Sequence, residues 1–339
     1  MLGRLSNFLG RKPVAIAALG CAAASCLVLS SMGGLMPLLL ARALQGLACG
    51  LASGALGSYI VDSGAGRPQW LPALITGSAP MVGIPLGAVA SGALAQYGPS
   101  PRALIFEIVA GLLVLCGVLM MLSPETRRPE PGAVHSLRPR LQVPRGAGRL
   151  LVAAGTSFVG TWALGGFYQA FGPAIAAAYL GNATPLVAAA VFSSVMILNP
   201  LGGSIGGRRS AVVGVRGGMA VFSLALAAIL ASLHAGAIVP FIAASAVAGL
   251  AQGAASTAAI RGLLANAGAE ERAGLLSTIY LISYSGAAIP AMLAGRFAGT
   301  FDLFDIAVGY AVLGWAASII AIPAARNPRG APHPIKTKG

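Results

Sequence analysis

Charge is scarce in this chain of 339 residues, of which only 9% are Asp, Glu, Lys or Arg. Soluble domains carry about 25%. No soluble core of this length accounts for so few, and 57% of the residues are hydrophobic, with a mean hydropathy of +0.83. The chain therefore reads as an all-α integral membrane protein that crosses the bilayer many times. Acidic residues are scarcer still, eight against 22 Lys and Arg, for a formal net charge of +14. So basic a balance suggests nucleic acid at first sight. The cations, however, sit in short loops between apolar runs, as orientation in a bilayer requires, and no nucleic-acid partner is expected. Cys21, Cys26, Cys49 and Cys116 all lie within apolar runs, where they read as small packing residues rather than a disulfide framework or metal site. The three histidines, His135, His234 and His333, fall in loops or the tail. No Ser/His/Asp set, phosphate loop or metal spacing stands out, so neither an enzyme nor a cofactor site is expected.

What is present is a series of ten apolar spans, at about 13–31, 37–61, 71–95, 103–123, 150–174, 185–205, 211–232, 236–260, 273–295 and 304–325. Each is near the roughly 20 residues that cross a bilayer as a helix. Pro80, Pro85, Pro200 and Pro290 lie inside spans and mark kinks. With the N-terminus placed in the cytoplasm, nearly all loop and tail cations fall inside. Only Arg102 and Arg296 fall outside. Both termini are thus expected in the cytoplasm, in a cell (inner or plasma) membrane. The polar stretch 124–149, rich in Pro and Arg, reads as a flexible cytoplasmic linker. It divides a bundle at 1–123 from a second at 150–325, which a basic tail at 326–339 follows.

The stretch from Pro37 to Asp62 organises this pattern. It carries a cation, Arg42, within an apolar run, and Gly46, Gly50 and Gly54 four residues apart, on one helix face. The design returns as Gly249-Leu250-Ala251-Gln252-Gly253. Gly10-Arg11-Lys12 likewise resembles Gly207-Arg208-Arg209, and Pro85 resembles Pro290. Such internal repetition belongs to carriers built from two halves. The repeat equates the first four spans with the last four of the following six. Two front helices of an expected twelve are therefore missing, and the upstream gene sequence is expected to encode them or their remains.

These residues resemble the major facilitator superfamily of transporters. Gly3 through Lys12 is similar to its loop motif Gly-x-x-x-Asp-Arg-x-Gly-Arg-Lys, with Gly3, Gly10, Arg11 and Lys12 in register. Asn7 stands in place of the Asp and Phe8 in place of the Arg, so the family's charged cytoplasmic latch lacks its acid at that position. Arg42-Ala43-Leu44-Gln45-Gly46 resembles the fourth-helix motif Arg-x-x-Gln-Gly, whose Arg the family links to proton coupling. Ala79-Pro80-Met81-Val82-Gly83 partly resembles the fifth-helix motif of the family's antiporters, with Pro85 and Gly87 supplying similar bending and packing. Pro124-Glu125-Thr126 resembles the end of the sixth helix in many of its drug exporters. The resemblance implies a twelve-helix fold of two bundles, and proton-coupled efflux of a small organic molecule by alternating access. A solute-uptake carrier of the same family, or a truncated remnant that does not transport, are the other readings.

Within that frame several side chains are candidates. Arg42 lies about 8 Å along its helix from Pro37, shallow enough to snorkel, and reads either as a functional charge facing a wet cavity or as an interfacial anchor, the first being favoured. Glu107 and Asp305 hold matching places in two spans. Each reads either as a carrier of the coupling proton or as an ordinary carboxylate at the interface. Gln45 and Gln252 suit substrate binding or a bond between helices. Trp162, Tyr168 and Gln169 in the fifth span, with Tyr280 and Tyr284 in the ninth, suit an organic ligand or an interfacial belt. Pro290, Gly249 and Gly253 are expected to bend and pack their helices. The sequence leaves the oligomeric state and the substrate open.

Overall fold

The structure is a computed structural model. It describes residues 5–31, 33–64, 70–101, 103–127, 129–130, 148–179, 184–265 and 269–326. Side chains 70–74, 76–78, 80–81, 269–274 and 276–277 are excepted. Gly3, the Pro80 side chain and most of the expected linker and tail lie outside the described residues.

Every described element is a helix, as lipid demands of backbone that must satisfy its own hydrogen bonds. They are α1 (Ser6–Leu9), α2 (Arg11–Ser30), α3 (Leu35–Ser63), α4 (Trp70–Tyr97), α5 (Leu104–Leu122), α6 (Gly148–Tyr179), α7 (Pro185–Ile197), α8 (Asn199–Arg208), α9 (Ala211–His234), α10 (Ile238–Ala265), α11 (Ala269–Phe297) and α12 (Leu303–Ala324). Among the described residues nine stretches are long and apolar enough to cross a membrane, α7 and α8 counting as one. The tenth expected span is α4, whose described apolar part is Val82–Tyr97.

Prolines act unequally. Pro200 cannot donate to the Met196 carbonyl, and the seventh element breaks from the eighth at Leu198, two residues before it. Pro290 is accommodated inside an unbroken α11, and Pro85 inside an unbroken α4. Helix starts are capped where the chain supplies an oxygen. The Asp302 side chain accepts from Asp305 N at 2.8 Å, and Ser210 Oγ accepts from Val213 N at 3.3 Å.

The chain divides into two compact units, Met1–Gly83 with Ala90–Arg140, and Ile84–Val89 with Leu141–Gly339. In the first, α2 packs on α3 and on α5. Its small core is Val14, Ala15 and Ala18 against Leu51 and Ala55. Here the structure departs from expectation. The buried face of α3 carries Ala41, Ala48, Leu51 and Ala55. At 100° per residue the glycine face lies on the opposite side. Gly46 is exposed, and no described residue lies within 4 Å of a Cβ placed there; the same holds for Gly83 and Gly87 on α4. Gly50 and Gly54 are partly buried.

In the second unit α6 is the hub for α7, α10, α11 and α12, and α10 is the hub for α7, α8 and α9. Glycines stand in close backbone contact here. A Cβ at Gly249 would overlap the Val195 carbonyl oxygen, and one at Gly253 the Asn199 carbonyl oxygen. Gly202 and Gly206 on α8 stand just as close to the Leu250 and Ala254 carbonyls of α10. Lipid offers no hydrophobic drive between helices, so such close backbone contact supplies dispersion and Cα–H···O attraction instead. At the far end of the same pair Arg261 donates to the Gly207 and Arg209 carbonyls, satisfying the C-terminus of α8.

Candidate functional site

Two constellations stand out, one in each unit. In the first unit the ends of α1, α2, α3 and α5 meet around Arg11. After α1 the chain turns at Gly10, with φ of 95°, and α2 begins at once. Gly10 offers no side-chain cap. The missing acceptor comes from 114 residues away: Glu125 Oε1 accepts from Arg11 N and Oε2 from Lys12 N, both at 3.0 Å. An anion is thereby held at the positive end of α2. Oε1 also accepts from the backbone N–H groups of Thr126 at 2.9 Å and Arg127 at 3.1 Å. Only glycine fits at position 10, because the backbone is left-handed there and a Cβ would stand 2.7 Å from Glu125 Oε2.

The Arg11 side chain is 9% exposed, and its charge is met within the unit. Nε donates to Asp62 Oδ2 at 3.0 Å, and Nη1 to Asn7 Oδ1 at 2.6 Å and Ser6 Oγ at 3.0 Å. Asp62, at the end of α3, supplies the carboxylate that meets Arg11, while Asn7 contributes as a neutral acceptor. Lys12 Nζ donates to the Met121 carbonyl at 2.6 Å, a cation on the last turn of α5. Tyr59 Oη donates to the Pro124 carbonyl at 2.8 Å. Asp62, Glu125 and Tyr59 were not among the sequence candidates. The Pro124-Glu125-Thr126 motif was visible, but its target was not, since no local pattern links residues 51 and 114 positions apart.

Elsewhere in this unit Arg42 is exposed on α3, and its Nη1 donates to Gln45 Oε1 at 2.8 Å, one turn on. Two sequence candidates are thus brought together. Among the described residues Arg42 makes no ion pair. Glu107 is exposed in the first turn of α5.

In the second unit Trp162 of α6 and Tyr284 of α11 meet edge to face, with ring centroids 5.2 Å apart. Tyr280 stacks on Tyr284 at 6.3 Å. Both tyrosines remain about half exposed. Trp162 is at the midpoint of the expected span 150–174, and Tyr284 at that of 273–295. Within the apolar stretch Thr278–Phe297 of α11, Tyr280 is the third residue and Tyr284 the seventh, and the pair suits an organic ligand or an interfacial belt. Tyr168 and Gln169 take no part in it. Tyr168 is fully buried in the bundle core, its hydroxyl bonded to Ser245 Oγ, which in turn donates to the Phe241 carbonyl at 2.7 Å. Gln169 is exposed. Gln252 is buried on α10 beside the glycine crossing, and Asp305 is exposed in the first turn of α12. Tyr168→Phe tests the core role. Ser245 keeps its second partner, so the loss is expected to be about 1 kcal/mol or less, read as a small fall in melting temperature with solute binding intact. A loss of binding at unchanged stability would instead place Tyr168 in the solute site.

No family model matches the chain, and no curated protein matches it in sequence. Solved structures do match. A peptide transporter POT in complex with sulfate aligns with a TM-score of 0.72 at 16% identity, over 95% of this chain and 81% of that one. A POT family transporter in complex with 5-aminolevulinic acid gives 0.65 at 12%, over 95% and 83%. Another, in complex with a thioalcohol-conjugated peptide, gives 0.64 at 13%, over 94% and 82%. The chain is an all-helical integral membrane protein with the fold of these transporters, the major facilitator fold.

Proposed function

We propose that this protein moves a small organic solute across the membrane by alternating access, coupled to protons and directed outward. The observation that carries the reading is the Trp162–Tyr284 pair, in the middle of two expected spans, with Tyr284 about half exposed. Substrate sites of such carriers lie near the midplane. Exposed π faces suit a flat aromatic or cationic group on the solute. Proton coupling rests on Arg42, and outward direction on the partial antiporter motif at 79–83. The peptide and 5-aminolevulinic acid held by the fold neighbours favour a second reading, a carrier for a peptide-like or amino-acid-like solute.

The test is solute flux in proteoliposomes under an imposed pH gradient, at equal amounts of folded protein, across aromatic, cationic and peptide-like solutes. Trp162→Ala and Tyr284→Ala are each expected to lower flux by about tenfold, the effect of losing roughly 1.4 kcal/mol of binding. Arg42→Ala is expected to abolish the dependence on the gradient, and Arg42→Lys to retain part of it, since Lys keeps the charge but not the planar fork. Wild-type flux in both aromatic variants would remove the pair from the pathway. Unchanged pH dependence in Arg42→Ala would remove the coupling role.

A further inference from the structure

Helices α11 and α12 both pack on α6 but scarcely on each other. Between them lies a cleft of about 1010 Å³, wholly within the second unit. Leu281, Ile289 and Leu293 of α11 and Leu313 of α12 give it an apolar wall. It is separate from the aromatic pair: Leu293 is nine residues past Tyr284, two and a half turns, and so faces the other way. Two polar groups interrupt the wall on the α12 side. Tyr310 is 6% exposed, and its hydroxyl has no hydrogen-bond partner among the described residues. Asp305 lines the mouth, one turn above Gly309. A hydroxyl left in this state costs free energy unless a ligand brings an acceptor.

We propose that the cleft holds a membrane phospholipid whose headgroup bears a primary ammonium. Its acyl chain runs along Leu281, Ile289 and Leu293. An ester carbonyl accepts from the Tyr310 hydroxyl, and the ammonium donates to Asp305. The depths agree. Asp305 and Tyr310 are five residues apart, about 7.5 Å along the helix, and the headgroup layer of one leaflet is about 5–7.5 Å deep. Charge selects among headgroups. A quaternary ammonium has no N–H for Asp305 and offers charge alone. At this end Asp302 and Asp305 outnumber Arg296, in the last turn of α11, so an anionic headgroup meets net repulsion. Arg149, Arg208, Arg209, Arg261 and Arg326 stand at the opposite ends of this unit's helices, so the site belongs to the leaflet away from them.

The test uses the full chain in nanodiscs of equal parts phosphatidylethanolamine, phosphatidylcholine and phosphatidylglycerol, with lipid retained on transfer to detergent measured by mass spectrometry. The ethanolamine lipid is expected to exceed the choline lipid about fivefold in the retained pool. Asp305→Asn should return that ratio to the bulk value. Leu293→Trp, placed at an exposed cleft position (56%), should lower the retained amount. Retention of the three lipids in bulk ratio by the unaltered protein overturns the proposal, whatever the variants do. So does enrichment of the glycerol lipid, or selectivity that survives Asp305→Asn.

Discussion

Gly253→Ala is expected to remove most of the folded protein. Overpacking a core costs about 1–3 kcal/mol, occasionally more, when side chains can shift aside. Here the added methyl would meet the Asn199 carbonyl, which belongs to the backbone of α8 and cannot rotate away. The crossing is reciprocal, glycines of each helix receiving carbonyls of the other, so relief at one point tightens the next. A loss of about 3 kcal/mol or more is a large part of the roughly 5–15 kcal/mol that holds a domain folded. Gly249→Ala should behave alike. Gly46→Ala, its counterpart in the repeat, should be neutral or slightly stabilising, because the site is open and alanine favours helix. Yield of monodisperse protein and melting temperature in one detergent decide it. Equal yields for Gly253→Ala and Gly46→Ala would contradict the close crossing.

Glu125→Ala is expected to free the start of α2. The carboxylate accepts four backbone N–H groups, two of them from the first turn of that helix. Loss of an N-cap alone costs about 0.5–2 kcal/mol, and this variant also removes a negative charge beside Arg11 and Lys12. Glu125→Gln keeps one acceptor oxygen and should fall between. Amide exchange at Arg11, Lys12 and Val14 should quicken markedly in Glu125→Ala, with α6 to α12 unchanged. Asp62→Ala acts on the guanidinium instead. Asp62 is 34% exposed, so the pair is worth only about 1 kcal/mol or less. Unaltered exchange at the start of α2 in Glu125→Ala would show that the cap carries no weight.

Hydropathy made the helices legible, because a bilayer admits few alternatives and ten spans of the right length leave little choice. The break at Pro200 was legible too, from a single missing N–H. Contacts were less so. The repeat equated Gly46 with Gly249, yet one is open and the other buried against a carbonyl, since glycine spacing marks a face without telling what meets it. Arg11 announced a charge that needs a partner, but the partners came from the ends of other helices. Aromatic residues in the fifth and ninth spans divided by face. Trp162 and Tyr284 meet on an open side, while Tyr168, six residues on from Trp162, turns into the core, where Ser245 satisfies its hydroxyl.

The central claim is that the face bearing Trp162 and Tyr284 borders water at mid-membrane. Cysteine accessibility tests it most directly. The four native cysteines are replaced, and Cys is placed at Tyr284 or at Leu293 on the opposite face of α11. The protein in sealed liposomes is then treated with a membrane-impermeant maleimide from either side, with and without solute. Tyr284→Cys is expected to react, at a rate that solute changes, and Leu293→Cys to remain unreactive. A Tyr284→Cys protein as inert as Leu293→Cys, from both sides and with every solute, would place the aromatic pair against lipid and contradict the account.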